Sequence, residues 1–219
     1  MELLLKIVIF GIPILFAITL HEAAHGYVAL RYGDDTAQKL GRVSLNPIKH
    51  IDMIGTVLIP GFLLLIGSPV LFGYAKPVPV NFSRLRNPRR DSMLVAAAGP
   101  GMNFLLAIIS ALLMHTLVLF PVGVEEVIKN MLVLSVFINV TLALFNMLPI
   151  LPLDGGRVVA GFLPSQWRGP FARMEPYGFF IILAVLLIPP LFGFNVMRWL
   201  VDNPIQFIIN VISFLTGLS

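Results

Sequence analysis

The run LLLKIVIFGIPILFAITLHEAAHGYVAL, residues 3–30, decides the fold. Its length exceeds the roughly 20 apolar residues needed to cross a hydrocarbon layer of about 30 Å. A secretory signal would be shorter and would end in a small-residue cleavage site, so the run reads as a retained spanning helix. Outward from it, further apolar runs lie at about Ser92–Phe120, Val127–Leu148, Tyr177–Leu191 and Pro204–Leu218. Of the 219 residues, 58% are hydrophobic and 12% charged, against roughly 25% charged in soluble domains. With a mean hydropathy of +0.92, a soluble globular protein is excluded. The expected fold class is an all-α polytopic membrane protein: about five spanning helices, a re-entrant hairpin and short membrane-associated β-strands.

The chain has no cysteine, which excludes disulfides, a thiolate nucleophile and cysteine-ligated metal. Any metal must be held by His, Asp or Glu. The net charge of +4 does not point to nucleic acid, because the Lys and Arg residues flank apolar runs and so report membrane orientation. The segment Ile51–Tyr74 is apolar but interrupted by Pro60-Gly61 and by Gly67-Ser68-Pro69. It is flanked by Arg31, Lys39, Arg42 and Lys49 on one side and by Lys76, Arg84, Arg86, Arg89 and Arg90 on the other. A re-entrant hairpin keeps both basic flanks in the cytoplasm, where a single crossing would not. Adding Arg157, Arg168 and Arg173 gives twelve basic residues inside, against Lys6, Lys129 and Arg198 outside or at an outer edge. The expectation is a multi-pass cell-membrane protein with the inner ends of its first three spanning helices at one face.

At that end of the first run stands His21-Glu22-Ala23-Ala24-His25. On a helix, residues i and i+4 share a face, so two imidazoles can converge on a zinc ion while Glu22 stands beside them as general base. Ionisable groups inside an apolar helix are costly to insert and mark function; the plainer alternative is that they line a watery vestibule. A catalytic zinc takes three protein ligands, and Asp154 is the candidate third. It lies in NMLPILPLDGG, residues 146–156, where Pro149 and Pro152 should break the helix and Gly155-Gly156 should let the backbone turn, leaving Asp154 on irregular backbone.

These motifs resemble those of the site-2 proteases, intramembrane zinc metalloproteases. His21 to His25 resembles the family's H-E-x-x-H helix, Asn146 to Gly155 its N-x-x-P-x-x-P-L-D-G motif, and Gly99-Pro100-Gly101-Met102-Asn103 its G-P-x-x-N signature. The likeness is to the compact prokaryotic branch lacking PDZ and CBS modules. It implies a single membrane-embedded metalloprotease domain over residues 1–219, with a catalytic core of about 5–157 and C-terminal helices at about 177–218. It also implies one zinc held by His21, His25 and Asp154, Glu22 as general base and the active site toward the cytoplasm. The implied substrate is a transmembrane protein in a lipid bilayer. Asn146 is implied to assist the scissile carbonyl; capping or bridging helices is its alternative. Asn103 is assigned to helix packing.

Ala75–Asn81, with alternate prolines, and Gly41–Leu45 are candidate strands that could pair with an unwound substrate; either could instead be a loop. His50 and Asp52 could cap the hairpin or bind metal weakly, and His115 reads as a packing or interfacial residue far from the zinc. Trp167 and Trp199 sit where indoles anchor at interfaces. The rival function is a metal transporter or metal-binding membrane protein using His21, His25 and Asp154. A transit site has no need of Glu22, and transporters show repeats or polar outward pathways that this chain lacks. A prenyl-protein-processing type of metalloprotease would need a Glu as third ligand, and no Glu occurs between Glu22 and Glu125.

Overall fold

The computed structural model describes residues 2–66, 76–192 and 202–218. Helix α1 (Glu2–Arg31) ends where Gly33 takes φ +110°, a conformation that side chains rarely adopt and glycine does. A single turn, α2 (Thr36–Lys39), follows. Asp52 then accepts from the N–H groups of Ile54 and Gly55 at 3.0 and 2.8 Å, so it caps the π-helical turn Met53–Leu58 that leads into α3 (Ile59–Leu65).

Helix α4 (Pro88–Leu113) begins with a proline in its first turn and with Asn87 as its cap, and it runs on as a 3₁₀ turn to Leu119. After α5 (Val124–Asn146) come α6 (Asp154–Phe162), α7 (Ser165–Ala172), α8 (Gly178–Leu191) and α9 (Asn203–Thr216). Helix α4 is central, packing on α1, α5, α6 and α9. Small residues allow this closeness: Ala107 and Ala111 of α4 meet Val136 and Val140 of α5 and Ile205 and Ile212 of α9. Large apolar side chains such as Phe10 and Phe16 face outward, each 50% exposed, as suits a hydrocarbon solvent.

Among the described residues, three helical stretches are long and apolar enough to cross a membrane: Ile7–Arg31, Pro88–Leu119 and Val124–Asn146. That is fewer than the five expected. Helices do form at the other two expected positions, but α8 and α9 have 14 residues each, about 21 Å of helix. The described part of this segment is not broken at Pro60-Gly61: it is helical from Met53 to Leu65, and the π-helical turn passes into α3 next to Pro60. The rest of the expected hairpin, from residue 67 to Tyr74, and Trp199 lie outside the described residues. Trp167 is on α7 and 58% exposed.

The expected β-strands are not formed: no strand occurs among the described residues. Residues 76–81 are not helical, but they have no ladder partner. Pro77 and Pro79 carry no N–H, and those of Lys76, Val78 and Asn81 are taken elsewhere. Lys76 donates to the His50 carbonyl at 3.0 Å, Val78 to Glu22 at 2.6 Å and Asn81 to Asp34 at 2.6 Å. Around Gly41–Leu45, Arg42 N–H goes to the Ala37 carbonyl and the Ser44 carbonyl is bonded by His50 Nε2 at 2.9 Å. Side chains satisfy groups that a neighbouring strand would otherwise have to satisfy.

Candidate metal centre

One turn apart on α1, His21 and His25 bring their Nε2 atoms to 3.0 Å. Asp154 Oδ2 lies 3.2 Å from the first and 3.4 Å from the second, so the three donor atoms form a tight triangle. Asp154 is the first residue of α6, not part of irregular backbone as expected; the irregular stretch is 147–153, just before it. Gly155 and Gly156 are helical, and a Cβ on either would overlap the preceding loop at Met147 or Ile150 and Leu151. They permit close packing rather than a sharp turn.

The outer ring nitrogens fix the tautomer of each neutral ring. Asn103 uses its amide nitrogen toward Asn139 Oδ1 at 2.8 Å and the Ala17 carbonyl at 3.2 Å. Its oxygen, 2.5 Å from His21 Nδ1, is therefore an acceptor, and His21 Nδ1 carries the proton. His25 Nδ1 donates to the Val95 carbonyl at 2.7 Å. In the neutral rings both Nε2 atoms then present lone pairs to each other and to Asp154 Oδ2, a buried oxygen with no hydrogen-bond partner. Three converging acceptors repel unless a cation, a proton or a metal ion, lies between them. Tetrahedral zinc with bonds of about 2.0–2.2 Å separates its ligand atoms by about 3.3–3.5 Å, close to the observed edges. The residues fit the metal.

Beside this triangle is a cavity of about 340 Å³ lined by Glu22, Val78, Phe82, Asn146, Asp154 and Arg157. Glu22 is held by the Val78 N–H, and Asn146, the last residue of α5, donates its amide to the Leu142 carbonyl at 3.0 Å. Arg157 pairs with Glu175 at 2.7 Å and lies 4.8 Å over the Phe82 ring. At the start of α8, Gly178 approaches Leu151 so closely that a Cβ would overlap its carbonyl oxygen. The C-terminal part thus braces the loop that precedes Asp154. His115 stands near the other end of α4, 2.7 Å from the Thr216 carbonyl; buried His50 belongs to no metal-binding cluster among the described residues.

A family model described as Peptidase family M50 matches residues 9–189, which contain all three motifs. The chain belongs to peptidase family M50. The resemblance to the site-2 proteases is thereby upheld, and the protein is an enzyme. Among its relatives is YwhC of Bacillus subtilis (strain 168), 41% identical over 186 residues, which are 81% of this chain and 80% of the relative. Rip2 of Mycobacterium tuberculosis (strain H37Rv) is 30% identical over 86% of this chain and 71% of its own. Both are named as candidate zinc metalloproteases. The zinc metalloprotease MJ0392 of Methanocaldococcus jannaschii is 22% identical over 69% of this chain and 33% of its own. No solved structure matches the chain.

In this M50 peptidase the G-P-x-x-N signature has a function at the metal centre that sequence reasoning missed. Asn103 does pack helices, since it joins α4 to α1 and α5, but it also orients His21. Gly99, four residues before it on the same face, leaves room for both imidazoles: a Cβ there would lie 2.6 Å from His21 Nε2 and closer still to His25 Nε2. The spacing of four on a helix was the available signal. Neither ring can retreat without losing its Nδ1 hydrogen bond. Gly99→Ala is expected to weaken metal binding by about 10–100-fold, the range for losses of ligand-orienting contacts, as read by competition with a chromogenic chelator. Unchanged affinity would mean that the rings move freely.

Proposed function

We propose that this M50 peptidase is an intramembrane zinc endopeptidase, one that hydrolyses peptide bonds within or near transmembrane segments of membrane proteins. In this reading His21, His25 and Asp154 hold one zinc, and residues 1–219 act as a single membrane-embedded domain. The carrying observation is the convergence of His21, His25 and Asp154 donor atoms in a tight triangle, set near the end of a helix able to span a bilayer. Zinc supplies a Lewis acid there, acidifying water to a pKa of about 7 and polarising a peptide carbonyl. Glu22, oriented by the Val78 N–H, takes a proton from the attacking water and returns it to the leaving amine. Asn146 donates its amide to the carbonyl oxygen as negative charge develops, after giving up the Leu142 carbonyl.

His25 and His21 precede Arg31 by six and ten residues, about 9–15 Å along the helix from the membrane interface. Water must therefore reach the site from that end, and the twelve basic residues assign that end to the cytoplasmic side of the cell membrane. A metal-transporting function is not favoured, because Glu22 shares the cavity with the metal ligands and transit requires no base. The test uses purified protein reconstituted in vesicles with a model transmembrane substrate carrying Gly or Pro near mid-span. Chelation should stop cleavage and added zinc should restore it. Cleavage that continues in the fully chelated protein would overturn the reading.

A further inference from the structure

On the side of α1 away from the metal, a groove of about 870 Å³ opens between α1 and α4, with Arg31 and Arg86 at its mouth beside Tyr27 and Tyr32. Tyr27 follows His25 by two residues, which turns it through about 200° around the helix. The Arg86 N–H bonds the Tyr32 carbonyl at 2.9 Å, which keeps both arginines at one end of the groove. Both are exposed, and neither guanidinium has a partner among the described residues. The nearby acids are occupied: Asp34 by Thr36 and Asn81, Asp35 by Lys39 and Arg84, Asp91 by the Asn87 N–H. None of these acids pairs with Arg31 or Arg86, so both guanidinium groups at the mouth are free to bind an anion.

Away from the arginines the groove becomes apolar. It shares Tyr27, Val28 and Ala98 with a second cavity of about 470 Å³ that continues past Ala24 to Leu20 and Met102. From Arg31 to Leu20 is about 16 Å along α1, close to half of a hydrocarbon layer about 30 Å thick. We propose that this continuous groove binds one anionic phospholipid, with its phosphate between Arg31 and Arg86 and an acyl chain along Ala98 toward Leu20. Guanidinium matches phosphate in charge and fork geometry. An extended peptide laid in the same groove would bury backbone polar groups along its apolar part with nothing to bond them, whereas an acyl chain has none.

The test titrates the purified full chain in detergent with phosphatidylglycerol or phosphatidylcholine and counts retained lipid by native mass spectrometry. The native chain should retain phosphatidylglycerol in preference. Arg31→Gln with Arg86→Gln should weaken that retention by about tenfold or more, while Arg90→Gln, an exposed arginine outside the groove, leaves it unchanged. Ala98→Phe, which fills the apolar junction, should lower retention with both arginines intact; circular dichroism checks that each variant keeps its helices. Equal retention of the two lipids, or native retention by the double variant, would overturn the proposal. So would a double variant that binds lipid normally but cuts substrate more slowly, since the groove would then be a protein-docking surface.

Discussion

Glu22→Gln is expected to keep its full complement of metal and to lose cleavage by roughly 10²–10⁴-fold, the range for a removed general base. Glu22 is outside the triangle of converging atoms; its contact is with the Val78 N–H at 2.6 Å. A glutamine has nearly the same shape, and its carbonyl oxygen can accept the same N–H, so the cavity and residues 76–81 should stay in place. What disappears is the capacity to hold a proton between the attacking water and the leaving amine. Metal analysis and cleavage of a reconstituted substrate together read the outcome. A metal-free variant would make Glu22 a structural support of the site, and a fully active one would assign the base elsewhere.

Asp154→Ala is expected to reduce metal from about one ion per chain to a small fraction of that, and cleavage with it. Two imidazoles on one helix leave zinc short of the three protein ligands that catalytic sites use, and Asp154 is the one anionic donor in the triangle. Circular dichroism of the metal-free variant and of the metal-free native chain checks that the helices are kept. Loss of metal with retained helical content would separate ligation from folding. Full occupancy in Asp154→Ala would require another third ligand.

The first, second and third long helices were legible because their cause is local. A run of apolar residues longer than the hydrocarbon layer is thick has nowhere to satisfy its backbone except in a helix. The same local rule puts His21 and His25 on one face, since a spacing of four returns the chain to the same side whatever surrounds it. Asp154 could be paired with them from motif order, but its backbone could not. Pro149 and Pro152 announced a break; that a new helix starts at Asp154, with Gly155 and Gly156 pressed against the preceding loop, depends on contacts the motif does not contain. The strands failed for a similar reason. Alternate prolines are compatible with an edge strand, but a strand exists only with a partner, and here Glu22, Asp34 and the His50 carbonyl take the N–H groups of Val78, Asn81 and Lys76.

The sequence by itself therefore determined a helical membrane enzyme, a His pair with a neighbouring Glu, and the requirement for a distant third ligand. These follow from hydropathy, helical period and coordination number, all readable over short stretches. Only the tertiary structure decided that Asn103 and the Val95 carbonyl set both histidine tautomers, that Gly99 makes space for the rings, and that Arg157, Glu175 and Gly178 tie the C-terminal part to the metal loop. Those contacts join residues tens of positions apart on different helices. Their geometry comes from how the helices pack, and helix packing is set by the fit of whole surfaces rather than by any one segment.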